Sequence, residues 1–218
     1  MDAGVRLLLV RHGETVWNQE NRWQGQADTA LSHVGYRQAR QLGRQLGNAN
    51  RQIEAIYTSD LCRARETAAI LGKTLDVTPI ETMAWREMDI GSWSGLTTAE
   101  VAERHQDEWE RVRNGEDLPR GGGETFRQFQ QRILCSAAQF VRDHEGGQII
   151  VVTHGGAVRA LLLHCQGLAA QNFGKIEKIA NTGVSEVSLF ASGHATIHSV
   201  NDVTHLDGGA LSGEVVDA

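Results

Sequence analysis

Two apolar runs of strand length, Leu7-Leu8-Leu9-Val10 and Ile149-Ile150-Val151-Val152, each break at a histidine followed by glycine, in Arg11-His12-Gly13 and Thr153-His154-Gly155. A run of aliphatic residues without polar alternation marks a strand covered on both faces, as in a parallel sheet between helix layers. Open α/β sheets bind ligands beyond the carboxyl ends of their strands. If the two strands lie parallel and adjacent, they deliver two imidazoles to one crevice from opposite ends of the chain. One Arg-His-Gly triplet arises by chance, so the repetition carries the argument.

The segments between these runs supply the rest of an α/β alternation. Ser32 caps a helix expected to reach about Leu46, with Ala39, Leu42 and Leu46 on one face. Ile53 to Thr58 reads as a strand, Ser59 to Leu75 as a turn into a helix, and Val77 to Ile80 as a further short strand. Trp85 to Gly95 reads as an irregular loop. Thr97 and Glu100 form a capping box for a polar helix to about Arg113, and 114–123, with Pro119 and three consecutive glycines, is the least ordered-looking part. Phe126, Phe129, Ile133, Leu134, Ala137, Phe140 and Val141 keep helical spacing and lay one apolar stripe on the sheet. A helix over Ala157 to Gln166 opens at Gly155-Gly156, and Val184 to Phe190 with Ala195 to Val200 reads as an edge hairpin. The polar stretch Gln19 to Ala30 is expected to wall the crevice. We read 1–206 as a single domain, 97–123 as a lid or side wall within it, and the acidic, Gly-rich 207–218 as a disordered tail.

Composition narrows the function. A formal net charge of -6 without clustered Lys and Arg argues against a nucleic-acid partner. No run approaches the ~20 apolar residues of a membrane span, and the start lacks a signal-peptide pattern. We expect a cytoplasmic protein, monomeric or homodimeric, with no membrane partner. Cys62, Cys135 and Cys165 suit reduced, small buried side chains.

The candidate site gathers Arg11, His12, Asn18, Arg63, Glu87 and His154, with the helix start at Gly155. Arg63 falls in a first helical turn, where a cation is intrinsically disfavoured and a bound anion favoured; a surface pair with Glu66 is the alternative. Two guanidiniums, an imidazole and free backbone N–H groups suit a dianionic phosphoryl group. Within that cage a neutral histidine can attack phosphorus, and a protonated carboxyl group can serve the leaving alkoxide. Spacing alone does not say which histidine attacks. A metal site of His12, His154 and Glu87 is disfavoured because two arginines would repel a dication. His33, His105, His144, His164, His194, His198 and His205 match no catalytic pattern, and Trp23, Trp85 and Trp93 are pocket-lining or packed residues.

Leu9 to Thr15 with Trp17-Asn18, Ser59-Asp60-Leu61 with Arg63-Ala64 and Thr67-Ala68, Glu87 with Gly91, and Thr153 to Gly156 together resemble the histidine phosphatase superfamily, the phosphoglycerate-mutase-like fold. The match is collinear over almost the whole chain. The resemblance implies a three-layer α/β/α sandwich with a mostly parallel central sheet, and a phosphomonoesterase that hydrolyses a small phosphorylated metabolite without cofactor or metal. It further implies that His12 is the phosphorylated nucleophile, that Arg11, Arg63 and His154 bind the phosphoryl group, that Asn18 and Gly155 add hydrogen bonds, that Glu87 is the proton donor and that Gln24 contacts substrate. Cofactor-dependent mutases of the family usually carry Tyr, Lys, Asn and Thr where this chain has Ile90, Thr98, Gly156 and Gln24. Those departures favour a phosphatase over the two alternatives, a cofactor-dependent mutase, for which Arg111, Arg113 or Arg120 could clamp a carboxylate, and a non-catalytic phosphate-binding module, which could lose His12 or Glu87 at little cost.

Overall fold

The computed structural model describes residues 4–49 and 51–206. One six-stranded sheet runs β3-β2-β4-β1-β5-β6, where β1 is Val5–Arg11, β2 Ala55–Ser59, β3 Pro79–Thr82, β4 Gln148–Thr153, β5 Val184–Leu189 and β6 Ala195–Asp202. β3, β2, β4 and β1 are mutually parallel, and the β5–β6 hairpin is antiparallel. The mixed sheet and its two helix layers form the three-layer α/β/α sandwich. The tail expected to fray from Asp207 lies outside the described residues.

Strand alternation sorts the core into two halves, because successive side chains leave a strand on opposite faces. Leu8, Val10, Ile150 and Val152 pack with Leu42 and Leu46 of α2 (His33–Asn48) and Ala64, Ala68 and Leu71 of α3 (Cys62–Leu75). Leu7, Leu9, Ile149 and Val151 meet Phe129, Ile133, Ala137 and Phe140 of α6 (Phe126–Asp143), and Leu161 and Leu162 of α7 (Gly155–Cys165). The central runs are therefore buried on both sides, as their lack of alternation predicts. Among the described residues, no helix is long and apolar enough to cross a membrane.

Several boundaries differ from expectation. Part of the opening segment forms a short helix, α1 (Val16–Gln19), because Thr15 and Asn18 cap it reciprocally. Val77 belongs to the exit from α3: Asp76 is left-handed, with φ of 55°, and the Val77 N–H bonds to Gly72, so β3 begins only at Pro79. The polar helix is two, α4 (Thr98–Arg104) and α5 (Gln106–Arg113), broken at His105, whose φ and ψ of -128° and 39° leave the helical region. The break turns Trp109 into a cluster with Trp23 and Trp93, with ring centroids 5.9 Å from each.

Gly121 and Gly123 signal close packing. A Cβ on Gly91 would lie 2.0 Å from the Gly121 carbonyl oxygen, and one on Gly121 would lie 2.3 Å from that of Ile90. Both have positive φ, so backbone lies on backbone there with no room for a side chain.

A similar contact locks the loop after β1. A Cβ on Gly35, in the first turn of α2, would lie 2.2 Å from the Glu14 oxygen, and one on Gly13 would lie 2.6 Å from the Gly35 oxygen. Neither neighbour is a flexible side chain that could move aside. Gly35→Ala is therefore expected to lower stability by about 1–3 kcal/mol or more, the range of an overpacked core. Gly47→Ala, in the same helix with only Thr74 Cγ2 at 3.4 Å, should be neutral or stabilising, since Ala is the better helix former. Urea midpoints of the two variants check this, and equal losses would contradict it.

Candidate active site

The β1–β4 ladder ends with Arg11 opposite Thr153, and the His12 N–H donates to the Thr153 carbonyl at 2.9 Å. His12 and His154 are thus the next residues out on neighbouring strands, and their ring centroids lie 5.2 Å apart. α3 starts after β2, and Arg63 in its first turn is fully buried. Its Nη1 donates to the Ala27 carbonyl and its Nη2 to that of Gly25, both at 2.7 Å. Glu66 instead accepts from the Leu31 N–H and the Tyr36 hydroxyl, so the alternative surface pair does not form. Burial lowers the Arg63 pKa to about 10, which leaves it charged at neutral pH.

Arg11, His12, Asn18, Gln24, Arg63, Glu87 and Gly155 line one narrow crevice, together with Arg22, Trp23 and Gly25. His154 lies fully buried against it. The two amides present donors. Asn18 Oδ1 accepts from the Thr15 N–H, the Thr15 hydroxyl and Asn181 Nδ2, which leaves its own Nδ2 for the crevice. Gln24 Oε1 accepts from the Thr29 hydroxyl, which leaves Nε2. Gly155 opens α7, whose first N–H groups have no acceptor within the helix. Glu87 is the one carboxylate in the lining. Its oxygens accept from the Met88 and Gly156 N–H groups at 2.8 and 3.0 Å. A Cβ on Gly156 would lie 2.3 Å from Glu87 Oε1, so this glycine lets the carboxylate rest on the start of α7.

The imidazoles are neutral. Burial foremost, then the charges of Arg63 and Arg11, hold His12 well below the ordinary histidine value. Burial and Arg63 do the same to His154. His12 Nδ1 lies 2.7 Å from the Gly13 carbonyl, which can only accept, so Nδ1 carries the proton and Nε2 the lone pair. A neutral imidazole with its Nε2 lone pair unprotonated therefore lines a crevice together with three guanidiniums, of Arg11, Arg22 and Arg63, and several N–H donors.

Sequence reasoning missed the residues that hold this geometry from outside. Arg132 on α6 donates to the carbonyls of Ala84, Arg86 and Glu87 while pairing with Glu124, whose Oε2 accepts from the Asp89 N–H. It straps down the whole Glu87 loop. Asn181 donates to the His12 carbonyl and to Asn18. Both act through tertiary contacts that no local pattern announces. Trp85 and Trp93 are fully buried packing residues, whereas Trp23 reaches the crevice and donates from Nε1 to Thr98. The cysteines are not the buried side chains expected: Cys135 is exposed, and Cys62 and Cys165 are half-buried. Among the described residues, no group of three or more His, Cys, Asp or Glu is arranged to hold a metal ion.

The fold and the crevice define a protein built to surround a compact anion with donors beside an unprotonated imidazole. Residues 7–203 match the family described as the histidine phosphatase superfamily (branch 1), and the chain belongs to that family. It is 37% identical over 206 residues to a metal-independent phosphoserine phosphatase of Arabidopsis thaliana, covering 93% of this chain and 83% of the relative. It is 32% identical over 180 residues to a 2,3-bisphosphoglycerate-dependent phosphoglycerate mutase of Methylorubrum populi, covering 78% and 84% respectively. A solved mycobacterial glucosyl-3-phosphoglycerate phosphatase in complex with VO3 superposes with a TM-score of 0.81 at 29% identity, covering 90% of this chain and 98% of that one.

Burying neutral imidazoles has a consequence for stability. Both histidines titrate lower in the folded chain than the ~6.5 of an unfolded histidine, so as pH falls the unfolded state takes up protons first. Their contribution is complete above ~6.5 and is lost below it, at up to about 1.4 kcal/mol per pH unit for each histidine. Urea midpoints are expected to fall steadily from pH 7 to 5.5, and to fall less in the His12→Gln, His154→Gln double variant. Parallel profiles would contradict the neutral assignment.

Proposed function

We propose that this histidine phosphatase is a phosphoric monoester hydrolase that acts on a small phosphorylated metabolite through a phosphohistidine on His12, without a metal. The observation that carries this reading is the neutral His12, with its Nε2 lone pair, in a crevice lined by Arg11, Arg63 and the amide donors. His12 Nε2 attacks phosphorus and the P–O bond to the leaving group breaks. Arg11, Arg63, His154, Asn18 and the Gly155 N–H hold the equatorial oxygens, which supplies the charge stabilisation that phosphoryl transfer chiefly requires. Glu87 gives its proton to the departing alkoxide and then takes one from water. That water breaks the N–P bond, which releases inorganic phosphate and returns His12 to its free form.

Residues 97–123 form the side wall of this site in our reading. Supporting contacts are Arg22, which donates to the Gly95 carbonyl and Glu100, and the Trp23, Trp93 and Trp109 cluster. Beside the wall lies an open cavity of about 290 Å³ that includes Arg113, Arg120, Phe126 and Phe173. Arg120 is close enough to Glu87 to feel its charge. The substrates named for the three relatives share a phosphate ester on a three-carbon acid. A carboxylate-bearing phosphoester suits this pairing of cage and arginine. Unpaired cysteines agree with a reducing, cytoplasmic setting.

Hydrolysis is favoured over mutase chemistry by what fills the divergent positions. Ile90 is fully buried, Thr98 is engaged by Trp23, and Gly156 lies under Glu87, so of the four divergent positions Gln24 alone presents a polar group to the crevice. The test is a panel of phosphoserine, 3-phosphoglycerate, glycerol phosphate and an aryl phosphate in excess chelator, following free phosphate, with 2-phosphoglycerate measured with and without a 2,3-bisphosphoglycerate primer. Inorganic phosphate is expected as the main product. Primer-dependent interconversion outrunning phosphate release would overturn the reading.

A further inference from the structure

Ser59 closes β2 and is fully buried. Its Oγ lies 2.9 Å from His154 Nε2 and also accepts the Leu61 N–H at 3.3 Å. A serine hydroxyl carries one proton and two lone pairs. Among the described residues, His154 Nε2 is the one acceptor that the Ser59 proton meets. On the far side of the ring, His154 Nδ1 is buried and forms no hydrogen bond with the protein.

These contacts do not treat the two neutral tautomers alike. With the proton on Nε2, His154 would donate to Ser59 Oγ, leaving the serine proton without an acceptor in a dry interior and a bare lone pair on Nδ1. Buried donors without partners are rare because they forfeit their hydration for nothing. With the proton on Nδ1, the serine donates to Nε2 and the Leu61 N–H donates to the serine, so one group, the Nδ1–H, is left for a ligand, against the two left unmet in the other tautomer. The bond made by one ring nitrogen thus decides which nitrogen carries the proton.

We propose that Ser59 is a positioning residue that fixes His154 as the Nδ1–H tautomer, so that a neutral imidazole presents a hydrogen-bond donor to the phosphoryl group. His12 and His154 then share a tautomer but offer opposite edges. The Gly13 carbonyl occupies the N–H of His12 and leaves its lone pair to attack, whereas Ser59 occupies the lone pair of His154 and leaves its N–H to bind. Burial beside Arg63 and Arg11, which opposes a charged ring, is no obstacle to this role. The opposite tautomer would set a lone pair against a phosphoryl oxygen. The tautomer assignment stands on the free protein; only its use in binding rests on the function proposed above.

The test is nitrogen NMR of histidine-labelled full-length protein at neutral pH, with the His154 ring signals assigned by their loss in His154→Gln. Wild type is expected to give a protonated Nδ1 and an unprotonated Nε2 at His154. In Ser59→Ala the ring should shift toward Nε2–H, with kcat/KM for phosphoester hydrolysis falling roughly ten- to hundredfold, as when a positioned donor is lost. Ser59→Thr keeps the hydroxyl and should restore both the Nδ1–H signature and most of the rate. An Nε2–H signal in wild type, or an unchanged Nδ1–H signal in Ser59→Ala, would overturn the proposal. If the signature follows the hydroxyl across the variants while no phosphoester is turned over, the tautomer assignment is supported and the phosphatase reading fails.

Discussion

The last rung of the β1–β4 ladder pairs Arg11 with Thr153, and a slip of one residue there would undo the site and the core together. Side chains alternate along a strand, so such a slip exchanges the faces of Leu7 and Leu9 with those of Leu8 and Val10. Each face packs against its own pair of helices, which makes the register expensive to change. The same rung places His12 and His154 side by side at the carboxyl edge. A distance of 5.2 Å between two imidazoles is thus a by-product of burying aliphatic residues on both sides of a sheet. The Gly13–Gly35 contact then fixes the loop carrying His12 against α2, so this imidazole sits on closely packed backbone.

Around that pair the chain assembles donors. Arg63 is held by backbone carbonyls, which orient a guanidinium without neutralising it as a carboxylate would. The acceptor oxygens of Asn18 and Gln24 are consumed by neighbours, and the helix start at Gly155 adds N–H groups. Cations gathered in a buried space repel one another, while burial foremost and their charges after it suppress protonation of the histidines. A phosphoryl dianion relieves that repulsion, and so the arrangement that costs stability in the free protein is the one that favours the transition state. Arg132 restrains Glu87 from the opposite side, with one guanidinium spanning three carbonyls of its loop.

Much of this is legible in the sequence because it is local. The two aliphatic runs ending in His-Gly announce parallel strands, Arg63 in a first helical turn is odd enough to suggest an anion, and the Thr97–Glu100 box starts a helix as expected. What escapes reading is made by contacts distant in sequence. Arg132, Asn181 and Ser59 look like ordinary helix, loop and strand-end residues until the sheet brings them to their partners. The glycines at 121–123 suggest disorder by composition, yet Gly121 and Gly123 answer steric demands from Ile90 and Asp89. The start of β3 slips by two residues because Asp76 adopts a left-handed conformation that the sequence does not advertise.

The central claim is that His12, and not His154, carries the phosphoryl group during turnover. The direct measurement is rapid-quench trapping of the enzyme with a radiolabelled phosphoester, followed by peptide mapping of the alkali-stable, acid-labile label. Label on the peptide containing His12, absent in His12→Ala and present in reduced amount in His154→Ala, is the predicted result. Label recovered on His154, or undiminished in His12→Ala, would contradict it.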